Sequence, residues 1–166
     1  MIHRDLKPMN ILVGASMDVC LIDFGVSKFD TRKKAQMTLN VGTPFWSAPE
    51  MFAGNDGFYT SAVDGKFPTC PPFPSPLFSF IKKTVFSFAV IFCEILEEKN
   101  PYEDCEINLF DIPQRIIGGL RPTLSDKTPQ PLAKLIQNCW NGSFKKRPTF
   151  KQITRRLIKY QTSNNL

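Results

Sequence analysis

The 166 residues are 42% hydrophobic, 12% aromatic and 22% charged, a globular composition that excludes a fibrous chain or a disordered tail as the main reading. Lys plus Arg number 21 against 15 Asp plus Glu, a net charge of +6, and the length fits one domain or a large piece of one. Five scattered cysteines without a C-x-x-C pair, beside a single histidine, argue against a zinc site and for reduced thiols in the cytoplasm.

The first residues, MIHRDLKP, carry charge at once and lack the apolar core of a signal peptide. Residues Asn10 to Val13 and Val19 to Ile22 read as two short strands around a turn. Thr31 to Asn40 is polar and basic without an apolar period, which predicts an exposed loop. Ala48 to Phe52 fits one or two helical turns, with Pro49 near the start. Val85 to Glu98 is apolar on nearly every side, the pattern of a helix buried in the middle of a domain. Further helices are predicted over Leu109 to Ile117, Pro131 to Trp140 and Thr149 to Tyr160. The last has Phe150, Ile153, Leu157 and Tyr160 on one face and Lys151, Arg155 and Lys159 on the other. Pro76 to Leu96 imitates a membrane span. Lys82 and Lys83 near its middle would each cost about 2.5–3.5 kcal/mol at a bilayer centre, so no membrane insertion is expected. The basic run from Lys145 to Lys159 has no interleaved aromatic platform and reads as a solvated helix face, with no nucleic-acid partner.

The phrase His3-Arg-Asp-Leu-Lys-Pro-Met-Asn10 is followed by Asp23-Phe-Gly25 and then by Gly42-Thr-Pro-Phe-Trp-Ser-Ala-Pro-Glu50. In order and spacing these resemble the catalytic loop, the magnesium-binding triplet and the end of the activation segment of eukaryotic protein kinases. The resemblance continues through Cys139-Trp140 and Arg147-Pro-Thr-Phe150. It implies ATP and Mg²⁺ as cofactors and proteins as substrates. It also implies that Asp5 accepts the substrate hydroxyl proton, that Lys7 stabilises the transferring phosphate, and that Asn10 and Asp23 hold magnesium. Oxygen ligands suit that hard cation. By the same resemblance His3 and Phe24 belong to a stacked column, Gly25 closes the triplet, and Glu50 pairs with Arg147 as a buried ion pair. Arg4 resembles the arginine that holds a phosphate on the activation loop, which implies an upstream kinase, with Thr31 and Thr38 as candidate acceptors. Lys7 and Thr43 favour serine/threonine over tyrosine specificity. The phrases GTPFWSAPE, NPYED and CW…RPTF resemble the tyrosine-kinase-like group.

Two departures stand beside this resemblance. The sequence holds no glycine-rich loop, no strand lysine for the ATP phosphates and no helix glutamate to pair with it. We expect a kinase C-terminal lobe without its N-terminal lobe, whose 166 residues alone transfer no phosphate. Residues 65–84 form the second departure, with 5 of the 14 prolines, 4 of the 15 phenylalanines, 3 lysines and no acid. Joining Asp64 directly to Val85 restores an unbroken family sequence with Asp64 as the anchor beneath the catalytic loop. We read 65–84 as an in-frame translated intron. The other reading is a genuine proline-rich insertion, with Pro68-x-x-Pro71 or Pro71-x-x-Pro74 as a ligand for proline-binding modules. Proline blocks helix continuation, so the buried helix is expected to start near Thr84 with the insert as a protruding loop.

The expected fold is mainly α, a kinase-like C-lobe: a helical bundle with a short β-hairpin carrying the catalytic and magnesium-binding loops. The expected function is a protein serine/threonine kinase. The alternative is a non-catalytic lobe fragment that binds other proteins.

Overall fold

The computed structural model describes residues 3, 5–24, 44–52, 76–106, 108 and 110–165, with the backbone alone for 76–80. The described part is mainly helical. A hairpin of β1 (Ile11–Val13) and β2 (Val19–Leu21) precedes four helices: α1 (Pro76–Glu97), α2 (Ile112–Ile117), α3 (Gln130–Cys139) and α4 (Phe150–Ser163). Single 3-10 turns stand at Pro8–Asn10, Pro44–Trp46, Pro49–Met51 and Phe144–Lys146. The strands pair antiparallel with Ile11 opposite Leu21 and Val13 opposite Val19.

The all-round apolarity of α1 has its cause in position. It packs against α3, against the Pro44–Trp46 turn and against the Phe144–Lys146 turn, while α4 lies on α3. Val85, Phe86, Ala89, Val90 and Cys93 of α1 are buried together with Ile116, Leu135, Ile136, Cys139 and Ile153. Covered from several directions, α1 has no polar face to turn to water over this stretch. Phe88 stacks on Phe92 at 5.6 Å and meets Phe150 edge-on at 5.8 Å, which ties the start of α4 to α1.

Helix ends follow from local chemistry. Thr149 caps α4: its hydroxyl accepts from the Gln152 amide, and the Gln152 side chain accepts from the Thr149 amide. Two otherwise orphaned donors are satisfied by this reciprocal box. At the end of α2, Gly119 adopts φ +104, the Gly119 amide donates to Ile116 and the Leu120 amide to Arg115. That closure needs a left-handed residue, which glycine supplies without a Cβ clash.

One expectation is corrected. The buried helix does not begin near Thr84; it begins at Pro76 and carries the second half of the 65–84 segment as its first turns. The physical reason lies in where the prolines stop. All five stand at or before position 76, and proline is tolerated at the first helical residue. Downstream of it, Leu-Phe-Ser-Phe-Ile-Lys-Lys-Thr contains no breaker. The extension buries Lys82 and Lys83, at 3% and 7% exposure. The α2 helix is also shorter than expected, starting at Ile112. Among the described residues no helix is long and apolar enough to cross a membrane.

Candidate active site

The catalytic-loop phrase is shaped by one proline. Lys7 is extended, with φ −153 and ψ 162, and Pro8 then opens a single 3-10 turn. The residue before a proline is held out of the helical region, so the chain reverses sharply between Lys7 and Asn10. The Asn10 amide closes the turn on the Lys7 carbonyl at 3.0 Å. The reversal returns Asn10 to Asp5. Its side-chain amide donates to the Asp5 carbonyl at 2.7 Å and to Asp5 Oδ2 at 3.2 Å. Lys7 Nζ lies 2.7 Å from the same Oδ2. Asn10 is buried, while the Asp5 side chain is 40% exposed, so the carboxylate is held from behind and still open to a partner in front.

The hairpin positions the second acid. The Ile22 amide donates to the Asn10 carbonyl at 3.0 Å, extending the strand register by one step. Asp23 therefore follows directly after the residue bonded to Asn10. Asp23 adopts φ +60, a left-handed conformation uncommon for a side-chain-bearing residue though more accessible to Asp than to most. Beside it, His3 Nε2 donates to the Ile22 carbonyl at 2.8 Å, and the His3 ring meets Phe24 edge-on at 5.0 Å. His3, 7% exposed, thus ties the start of the loop to the residues flanking Asp23.

Below this site stands a charged knot. Arg147 is buried and grips Glu50 through two parallel bonds, Nη1 to Oε1 at 2.7 Å and Nη2 to Oε2 at 2.8 Å. Its remaining donors reach the carbonyls of Asn141 at 2.8 Å and Lys82 at 3.0 Å. In return Lys82 Nζ donates to the Arg147 carbonyl. The guanidinium planes of Arg147 and Arg121 lie 5.1 and 4.9 Å from the Phe86 ring centre, within cation–π range. Burial, and then the charge of Arg147, hold Lys82 below the usual ammonium range. Trp46 Nε1 donates to Glu94 at 3.1 Å, and burial lifts that carboxyl above its ordinary value against the opposing pull of this bond.

Of the residues singled out from sequence, the structure brings together Asp5, Lys7 and Asn10 in one group, His3, Phe24 and the backbone around Asp23 in a second, and Glu50 with Arg147 in a third. Arg4, Gly25, Thr31, Thr38, Thr43 and Asp64 lie outside the described residues. Sequence reasoning missed the pairing of Lys82 with Arg147 and the clamp of Arg121 on the carbonyls of Ile116, Leu120 and Trp140. A signal for Lys82 existed. It stands four residues before Phe86, so any helix running back through the segment places both on one face.

Comparison with known proteins falls in line with these motifs. The protein kinase domain family matches residues 1–65, and the protein tyrosine and serine/threonine kinase family matches residues 78–157. A probable LIM domain-containing serine/threonine-protein kinase of Dictyostelium discoideum is 38% identical over 165 residues, covering 99% of this chain and 22% of that protein. The RGS domain-containing serine/threonine-protein kinase A of the same organism is 35% identical over 153 residues, covering 92% of this chain and 11% of its own length. A serine/threonine-protein kinase/receptor of Acanthamoeba polyphaga mimivirus is 33% identical over 152 residues, covering 92% of this chain and 8% of that protein. The chain thus spans less than a quarter of the length of these relatives. With kinase models matching on both sides of residues 66–77, and with relatives aligned along nearly all of it, the chain belongs to the protein kinase family.

Proposed function

We propose that these residues carry the phosphate-transfer half of a protein serine/threonine kinase of the tyrosine-kinase-like group. The observation that carries the reading is the fixed triad of Asp5, Lys7 and Asn10 beside the strand register that delivers Asp23. Asp5 accepts the proton of the attacking serine or threonine hydroxyl, and Lys7, already against the same carboxylate, faces the transferring phosphate. Asn10 uses its amide nitrogen on Asp5, which leaves its amide oxygen as the atom offered to a hard cation, and Asp23 adds a carboxylate. Among the described residues no cluster of three or more His, Cys, Asp or Glu ligands occurs. The reading needs none, because magnesium in such sites takes one or two protein oxygens and completes its shell with substrate phosphates and water. Bound magnesium would neutralise phosphate charge; the protein's part is to hold Asp5 in place and keep the two cation ligands adjacent. His3 and Phe24 serve as supports, and Glu50 with Arg147 fastens the Pro49–Met51 turn to the helical base.

The test is phosphoamino-acid analysis after incubation with radiolabelled ATP and Mg²⁺, using residues 1–166 joined behind a kinase N-terminal lobe. Label on serine and threonine is expected, with none from residues 1–166 alone. A second reading rests on the exposed hairpin, where Leu12, Val13, Met17 and Val19 are 52%, 59%, 78% and 67% exposed. Such an apolar surface suits a protein partner. Absence of label from the joined protein, together with retained folding, would favour that binding-module reading.

A further inference from the structure

The base of the lobe carries a cavity of about 360 Å³, open to solvent, between α1, the end of α3 and the start of α4. Its charge comes from Lys82, Lys145, Lys146, Arg147 and Arg156, with the side-chain amides of Asn138 and Gln152 at the wall and Pro148 as the one apolar lining residue. Glu50 neutralises Arg147 from the far side. No carboxylate is among the residues lining the cavity itself, and Lys145, Lys146 and Arg156 converge there on one space above Lys82. Lys82 at the floor is 3% exposed, whereas Lys145, Lys146 and Arg156 at the rim are exposed.

From this convergence we infer that the cavity is a binding site for a dianionic phosphoryl group. The chemistry selects the class. A lining of ammonium, guanidinium and amide donors with almost no apolar surface suits a small anion with several acceptor oxygens. It does not suit an apolar ligand, which needs hydrophobic walls. Nor does it suit single-stranded nucleic acid, which needs aromatic platforms that the lining lacks. If residues 65–84 are absent, the Lys82 floor goes with them, and the rim cations Lys145, Lys146 and Arg156, which lie outside that segment, remain. It is also independent of the Asp5 site.

The two sources of this chemistry are free phosphate and a phosphorylated protein segment. The experiment titrates residues 1–166 with inorganic phosphate, and separately with a phosphoserine peptide, by calorimetry at constant ionic strength and without divalent cations. One-site saturation by either probe is expected. The Lys146→Gln/Arg156→Gln double variant, altered only at exposed positions, is expected to bind at least tenfold more weakly with an unchanged circular dichroism spectrum. Tighter binding of the peptide assigns the site to a phosphorylated segment, and equal affinity assigns it to free phosphate. Lys82→Met tests the floor, and if that variant fails to fold the double variant decides. Non-saturable binding of both probes would overturn the inference. So would saturation with the same affinity in the double variant, or an RNA oligonucleotide bound in preference to both.

Discussion

Replacing Glu50 by Gln keeps the size and shape of the side chain and removes one charge. The Arg147 side chain it would leave behind has no solvent exposure, and Glu50 itself is only 16% exposed. Neither water nor salt can substitute for the lost carboxylate. The remaining bonds of the guanidinium go to the carbonyls of Asn141, Lys82 and Gly142, which satisfy hydrogen bonding and do not balance charge. Breaking a buried pair in this way costs about 3–5 kcal/mol. For a domain of this size that is a fall of about 6–20 °C in Tm. Lys82, on the other side of the Arg147 peptide, adds a like charge and pushes the cost toward the upper end. Urea and thermal unfolding of Glu50→Gln against the parent chain measure the effect. Arg147→Lys is expected to behave similarly, since an ammonium cannot form the two parallel bonds. A loss below about 1 kcal/mol, the value of an exposed pair, would refute the argument that the knot is buried and essential to the fold.

Alkaline pH supplies a second test. Burial, reinforced by nearby carboxylates around Cys93, pushes the thiols of Cys93 and Cys139 from 9.0 up to about 12. Each stays protonated in the folded chain while the unfolded chain has ionised, so its contribution is complete below pH 9 and is lost as pH rises toward 12. The slope is at most about 1.4 kcal/mol per pH unit for each thiol. Lys82, with its lowered range, has the opposite sign up to pH 10.5, so the readout is the flatter pH dependence of Cys93→Ala and Cys139→Ala relative to the parent; unchanged slopes would contradict the burial argument. At neutral pH a maleimide is expected to label exposed Cys20 quickly and Cys93 and Cys139 only after unfolding, whereas equal native labelling rates would contradict it. Deleting residues 65–84 puts Ala62 and Val63 in the sequence places of buried Lys82 and Lys83, three and two residues before Val85. We expect stability to rise by about 1–4 kcal/mol, with mapped transcripts lacking the matching 60 nucleotides. A lower Tm for the deletion, or uniform transcript coverage, would mark the segment as part of the native protein.

Much of the site was legible because its residues are close in sequence. The reversal from Asp5 to Asn10 is dictated by Pro8, and the two short β-branched and aliphatic runs leave little choice but a hairpin that returns Asp23 to Asn10. The α4 start was legible for a similar reason, since Thr149 and Gln152 cap the helix without help from elsewhere. What escaped was set by tertiary packing. Proline content marked 65–84 as a loop, yet the effect of proline ends at Pro76 and core contacts of α1 draw the next eight residues into the helix. The protruding-loop reading placed Lys82 and Lys83 outside the core. Their burial follows from α3 and the Phe144–Lys146 turn closing over α1, contacts far apart in sequence. The pairing of Glu50 with Arg147, equally distant, came from family resemblance and not from spacing.

The central claim is that Asp5 works on the transferring phosphate's acceptor and not on nucleotide binding. Steady-state kinetics of Asp5→Asn, in residues 1–166 joined behind a kinase N-terminal lobe, test it most directly. Loss of a positioned proton acceptor is expected to lower kcat by about 10²–10⁴ with KM for ATP little changed. A raised KM at unchanged kcat, or full activity in the variant, would contradict the account.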